Sequence, residues 1–448
     1  MVALAARPGL TTHAFGEPYA ARLGALPGAS EAWVDGLRQT ARATLSTRGL
    51  PGPREEAWRY TPLGDLAKLP FIPSAAADDI EVASLPTHVM PVADAPCLVT
   101  VNGAVRRDLS DVAIAGNHLT VVGLRDAMKG APASLRSLLG KLAASDQYPM
   151  AALNTAYMTD GLVVSVTAGA DVKLQIVSIG AAGAEPVAFH PRLVVMVGEG
   201  ARLTLIERHI GLPGQSYFTN PVTESIVGRG GVLRHFVSVN DDADAFHASV
   251  TAVRLHEGAT FEGFRLGLGG GKVRQDVAVS FTGERASAIL NGAHALGGDD
   301  HYDLSTFVDH AVPACTSSQA IKAVVGGRSH AVFQGRIHVA RAAQKTDARQ
   351  NHKALFLNAG PKVDCKPELE IFADDVQCAH GAATGEIDPD HVFYLLSRGI
   401  DPDTARALLI EGFLDDAVGK ISDEAVRAGY RNAVAVWLKR HAALGAKP

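Results

Sequence analysis

The stretch "GLVVSVTAGADVKLQIVSI" (161–179) reads as strand, tight Gly-Ala turn, strand, and the same form then recurs down the chain. It returns in "RLVVMVGEGARLTLIERH" (192–209), and around "VGRGGVLRHFVSV", "LHEGATFEGFRLGL" and "FTGERASAILNGA" between 227 and 293. With the glycines at 169, 200, 230, 258 and 283 as turn markers, the steps are 31, 30, 28 and 25 residues. A drifting period with short Val/Ile/Leu/Phe runs in each repeat marks a solenoid, because one such unit cannot bury its apolar face alone and must stack on the next. Alternation with period two puts the apolar side chains of each run on one face. The β-branched bias and the scarcity of Pro inside the runs favour a parallel β-helix over a sandwich of hairpins, which would share the same turns. The expected class is mainly β, with a parallel β-helix core over 91–386 and α-helical domains at 1–90 and 387–448.

The flanks carry helix punctuation. On the N-terminal side Ser30 is the expected cap, Trp33, Leu37, Ala41 and Leu45 share one face at i+4, and Gly49 closes the helix. A Pro/Gly connector leads into "EEAWRYTPL" (55–63), and "PSAAADDIEVASLPTHVMPVADAP" (73–96) reads as an extended linker. Near the C-terminus, Asp388-Pro389 and Asp401-Pro402 are cap-and-first-residue pairs, Gly399 is a stop, and Ser422 is expected to cap a third helix. Phe393, Leu396, Leu408, Phe413, Val434, Trp437 and Leu438 then call for burial, in a small bundle on the solenoid or in a docking surface.

Charge and composition narrow the function. The formal charge is −5, with no run of like charges and no basic stripe, so a nucleic-acid partner is not expected. The opening "MVALAARPGLTTHAFGEPYA" has no basic segment leading into an apolar one, and no apolar run nears the roughly 18–20 residues that span a bilayer. The expectation is a cytoplasmic chain with no membrane partner. There Cys97, Cys315, Cys365 and Cys378 are free thiols or ligands rather than a disulfide framework, and no CxxC occurs.

The chain has no GxxxxGK[ST], GxSxG or HExxH, and the Gly-rich "GLGGGKV" (267–273) has the wrong spacing for a phosphate loop and suits a solenoid corner. Two clusters invite a metal reading. In "GGDDHYDLSTFVDH" (297–310), His301 and Asp303 share a face, although a polar outer sheet face produces the same pattern. In "LEIFADDVQCAHGAATGEIDP" (369–389), Cys378 and His380 stand two apart on an extended segment and project to one side. Thiolate and imidazole suit zinc, copper or iron–sulfur chemistry, but two ligands are too few for a closed site, so another chain must supply the rest or the binding is transient. The bland alternative is a packed thiol beside a hydrogen-bonded histidine.

"PELEIFADDVQCAHGAATGEID" (367–388), followed by "FYLLSRGI" (393–400), Ala405 and Gly412-Phe413, closely resembles the SufB/SufD family of the SUF iron–sulfur cluster assembly machinery, on its SufD side. "EEAWRYTPL" and "FQGRIHVARAAQKTDARQNHKALFLN" (333–358) agree, so the likeness covers nearly the whole chain. The resemblance implies a right-handed parallel β-helix between two helical domains. It also implies pairing with a SufB-like paralogue through the β-helix, and with a SufC-like ATPase through the C-terminal helices. A nascent iron–sulfur cluster, transient and shared with the partner subunit, would form at the paralogue interface with sulfur from a cysteine desulfurase system. The family's interface histidine falls on His380 and the thiol of its Cys-x-His-Gly motif on Cys378, with His352 close enough in the pattern to join them. SufB-like chains carry Cys-Asp-Ser where this one has His352-Lys353, and His-Glu-Ala where it has His380-Gly381-Ala382, which argues for the SufD side. The expected role is a non-catalytic scaffold that binds no nucleotide and forms a homodimer when isolated. The competing readings are the SufB-type scaffold and a β-helix carbohydrate-active enzyme, the latter disfavoured by the low aromatic content of 6%.

Overall fold

The computed structural model describes residues 21–64, 66, 69, 71–74, 95–111, 118–182 and 185–441. Most of the expected linker at 73–96 lies outside the described residues. From Gly161 onward the chain winds as a β-helix of two facing sheets. The first sheet takes β1 (Gly161–Val166), β3 (Arg192–Val197), β5 (Val222–Val227) and β7 (Phe246–Leu255), then β9 (Lys272–Phe281), β11 (His301–His310), β13 (His330–Val339) and β15 (Lys362–Ile371). The second takes β2 (Asp171–Gly180), β4 (Arg202–Gly211), β6 (Val232–Asn240) and β8 (Thr260–Gly267), then β10 (Ser287–Leu296), β12 (Thr316–Val325), β14 (Asp347–Phe356) and β16 (Gln377–Glu386). Neighbours within each sheet are parallel and in register, so like side chains pile into columns. One runs Val195, Ser225, Val253, Val279, Val308, Ile337, Leu369 up the inside of the first sheet. Burying each such aliphatic side chain stabilises the stack by about 1.5–3 kcal/mol.

The turns explain why the repeat fades from the sequence. Gly169, Gly200, Gly230 and Gly258 have φ between 61° and 73°, in the left-handed region. The later coils put Arg285, Ala314 and Lys345 there, with φ of 58°, 58° and 60°. Gly283, taken as the fifth marker, is two residues early. Corrected, the steps become 31, 30, 28, 27, 29 and 31. The left-handed turn persists without glycine because it aims an N–H along the solenoid axis. Gly169, Gly200, Gly230, Gly258, Ala314 and Lys345 each donate to a turn carbonyl of the next coil, at 2.6–2.9 Å. That ladder offsets the steric cost of a Cβ at positive φ.

The beginning of the solenoid is closed. Cys97–Val101 adds in parallel to β2, with Ala104–Val105 folded back on it, and Leu119–Gly123 adds antiparallel to β1. The outer faces are covered as well. α1 (Ala32–Arg48), α2 (Leu124–Met128), α3 (Ala133–Arg136) and α4 (Pro149–Tyr157) lie on the N-terminal side, so the interval before Gly161 is partly helical. They pack Val34, Ala41, Leu45, Leu124 and Met150 against the outside of the first sheet. Val34 and Arg38 share the buried stripe of α1 with Ala41 and Leu45, displacing Trp33 and Leu37 to its margin, and Glu31 rather than Ser30 is the cap residue.

α5 (Pro389–Ser397), α6 (Pro402–Val418) and α7 (Glu424–Arg440) follow the solenoid. Asp388 and Asp401 cap α5 and α6 as the sequence suggests. Asp423 caps α7, because Ser422 is engaged by Glu262 of β8. α6 and α7 bury Leu414, Val418, Tyr430 and Trp437 on the outside of the second sheet, against Phe236 and Phe264. Among the described residues, no helix is long and apolar enough to cross a membrane. Replacing Ala314 by Gly should relieve the strained turn and raise stability by about 0.5–1 kcal/mol, whereas Gly200→Ala should lower it by a similar amount. Thermal denaturation of the two variants beside the parent checks the sign.

Candidate functional site

The last coil is where the stack stops. β15 pairs only with β13, and β16 only with β14, so each presents one unpaired edge. The bonds Lys362 N→Ser329 O (2.9 Å), Phe372 N→Val339 O (2.9 Å) and Gln377 N→Thr346 O (2.8 Å) set the alternation of the two ladders. In a parallel pair every second residue turns its N–H and C=O to the other side. The odd residues of β15 and the even residues of β16 therefore present free backbone groups at the open end, and Cys365, Cys378 and His380 are among them. Pro367 sits on the free side of β15 and has no N–H to present.

Side-chain direction follows from the same registry. Cys378 lies beside Ala348, His380 beside Gln350 and Ala382 beside His352. Ala348, Gln350 and His352 are buried, while Arg349, Asn351 and Lys353 between them are exposed. Cys378 and His380 thus continue inward-facing columns, and His380 is exposed only because no further coil covers it. Cys378 is half-buried against the aliphatic interior beside Leu369. This partial burial pushes its thiol above the ordinary range, and Cys365 is pushed up to about 11 for the same reason.

His352 belongs to a deeper layer. It is 1% exposed, its ring stacks at 4° on Phe333 with centroids 5.3 Å apart, and its Nδ1 has no hydrogen-bond partner. Desolvation lowers it to about 4, so it is a neutral imidazole within the solenoid, one coil beneath the residues of the open end. Cys365 continues the Phe333 column, so it stands across from Ala382 rather than His380. Among the described residues, no group of three or more His, Cys, Asp or Glu side chains is arranged to hold a metal ion. This chain brings Cys378 and His380 to one face of β16 at the open end.

The acidic 297–310 segment is committed elsewhere. Asp303 is ion-paired to Arg274 at 2.5 Å and accepts from Thr61, His301 lies 3.1 Å from Thr61, and His310 reaches Ser317 at 2.9 Å inside the coil. These contacts show what "EEAWRYTPL" does. Trp58 lies 4.0 Å over Arg274, which also holds the Ala57 carbonyl, and Glu56 reaches Lys366 on β15 at 2.6 Å. The N-terminal segment is a strap across the outside of the first sheet to the rim of the open end, a role its sequence motif did not reveal.

The other unpartnered surface is α5. None of its residues is buried, and Phe393 is 72% and Tyr394 55% exposed, with Leu396 and, on α6, Leu408 exposed beside them. The spacing of Phe393, Leu396 and Leu408 called for burial in a bundle or in a docking surface; within this chain they stay exposed, on and beside a helix that Ile387 and Asp388 link to β16.

Residues 178–413 match the core domain of the SufBD proteins of the SUF system of iron–sulfur cluster assembly, and residues 12–177 match the SufBD N-terminal region. An iron–sulfur cluster assembly SufBD family protein of Synechocystis sp. is 28% identical over 407 residues, 89% of each chain. The iron–sulfur cluster assembly protein SufD of Escherichia coli is 29% identical over 86% of this chain and 88% of its own length. A chloroplastic protein of Arabidopsis thaliana, ABCI7, is 34% identical over 55% of this chain and 52% of its own.

The burial of Cys97 and Cys315 and the rise of the Cys365 thiol to about 11 predict an order of alkylation in the native protein: Cys378 first, Cys365 more slowly, Cys97 and Cys315 only on unfolding. Because burial disfavours the Cys378 thiolate, its rate should keep rising past pH 9, which mass spectrometry of a timed pH series would read.

Proposed function

Because the chain belongs to the SufBD family of the SUF iron–sulfur cluster assembly system, we propose that it is a SufD-type, non-catalytic scaffold subunit that supplies one wall of a composite assembly site. The observation that carries this reading is the open last coil, with Cys378 and His380 on its inner face and two unpaired strand edges around them. A SufB-like paralogue seated on that end satisfies the free backbone groups by strand addition and completes the ligand set. The nascent cluster is then cargo held between two chains. His380 offers a neutral imidazole nitrogen to iron, and Cys378 a neighbouring soft sulfur. His352 takes no direct part in this arrangement, being one layer in.

The exposed patch of α5 is the proposed dock for a SufC-like ATPase. Its coupling to the site is short, since β16 ends at Glu386 and α5 begins at Pro389. A rotation imposed on α5 during the nucleotide cycle reaches the strand that carries Cys378 and His380 across two residues.

Two variants test the two surfaces. His380→Ala should leave the co-purified complex intact and cut its iron and sulfide content to about a tenth or less; unchanged content removes His380 as a ligand. Phe393→Asp should abolish retention of the ATPase in a pull-down while altering stability by less than about 0.5 kcal/mol, because the side chain is 72% exposed. Undiminished retention would move the dock elsewhere.

A further inference from the structure

Beneath His380 the solenoid carries a polar rung that its aliphatic columns do not require. Thr306 of β11 donates to Gln319 Oε1 at 2.8 Å, and Gln319 Nε2 donates to Gln350 Oε1 at 3.4 Å. Gln350 Nε2 in turn crosses the interior to the backbone carbonyl of Gly335 on β13, at 3.0 Å. A carbonyl only accepts, so this last bond fixes which end of the Gln350 amide is nitrogen. Gln350 is 2% exposed.

The opposite wall is cut to fit. A Cβ at position 335 would lie 2.5 Å from Gln350 Oε1 and 2.7 Å from its Cδ, so any side chain there would displace the amide. The glycine of "FQGRIHV" is therefore the space through which Gln350 crosses. Gln319, Gln350 and His380 are successive residues of one inward-facing column on β12, β14 and β16. Parallel strands lie about 4.8 Å apart, so position 380 is one strand spacing from Gln350 in the same column, within reach of its amide. The amide keeps one oxygen lone pair beyond those the rung uses.

A histidine that ligates metal through one ring nitrogen donates the N–H of the other to an acceptor, which fixes tautomer and ring orientation. We propose that Gln350, held in place by Gly335, is the positioning residue of His380: its Oε1 accepts one imidazole N–H and leaves the other ring nitrogen bare toward the open end. The inference rests on the reading of His380 as an interface ligand, but its primary test does not need a cluster.

The test is nitrogen-15 NMR of histidine-labelled full-length protein, with the His380 signal assigned by its loss in His380→Gln. The parent should show a single dominant neutral tautomer. Gln350→Leu should mix the tautomers, because the acceptor that selects one ring N–H is gone. Gly335→Ala should do the same while leaving Gln350 in place, and Gln350→Asn keeps the question answerable if Gln350→Leu does not fold. Thr306→Val, which cuts the rung two coils away, controls for general loosening and should leave the signal where it is. If the His380 tautomer balance is unchanged in folded variants at both 350 and 335, the proposal is wrong. If it moves while iron and sulfide in the co-expressed complex do not, positioning by Gln350 stands and the ligand role of His380 falls.

Discussion

Parallel stacking in register governs this molecule, because it satisfies the backbone of every coil except the last. Each strand pairs with the coil beneath through half of its residues and with the coil above through the other half. A solenoid of this kind cannot close on itself as a barrel does, so it ends on two unpaired edges. At the start of the stack short added strands absorb that problem. At the finish, β15 and β16 leave it unsolved, and the residues with soft-ligand chemistry are found there. The same termination leaves backbone donors and acceptors unpaired and turns inward side chains into accessible ones.

The interior also explains why a chain with so few aromatics holds a polar site at its rim. Aliphatic columns supply the cohesion, and a few amide and hydroxyl side chains are threaded between them as hydrogen-bonded rungs. Buried polar groups of this sort are tolerated when each member is paired, and they fix geometry more sharply than aliphatic packing does. Gln350 and Gly335 make one such match across the two sheets. Their value lies in where they occur, one layer below the open face. The strap formed by Glu56, Ala57 and Trp58 works from the outside in the same sense, tying the N-terminal segment to Arg274 and to the edge strand through Lys366. The strap braces the edge strand of the final coil, and the rung braces the coil beneath it.

Much of this was legible in the residues. The alternating Val/Ile/Leu runs and left-handed glycines carried the solenoid, and the Asp-Pro pairs carried the starts of α5 and α6. The Cys-x-His spacing placed both ligand candidates on one face. The reading faltered where a physical requirement was met by an unexpected residue type. The left-handed turn is kept by Arg285, Ala314 and Lys345, which carry no glycine signal, so the turn markers were lost after Gly258. Asp423 replaced Ser422 as a cap residue because Glu262 claimed that serine, while at the first helix the cap moved one residue on, from Ser30 to Glu31. For Phe393 and Leu396 spacing alone left open a packed bundle or a docking surface, since periodicity records an apolar face and not what covers it.

By itself the sequence determined the period of the first four turns, the strand faces and the placing of Cys378 and His380 on one side, all properties of local geometry that any extended chain obeys. Tertiary structure decided what those properties mean. Exposure of His380 depends on its coil being the last, burial of His352 on its being one coil earlier, and the place of Gln350 on a glycine fifteen residues away in the facing sheet. Relations of that kind arise from how many layers lie above a residue and what stands opposite it, and no spacing along the chain encodes them.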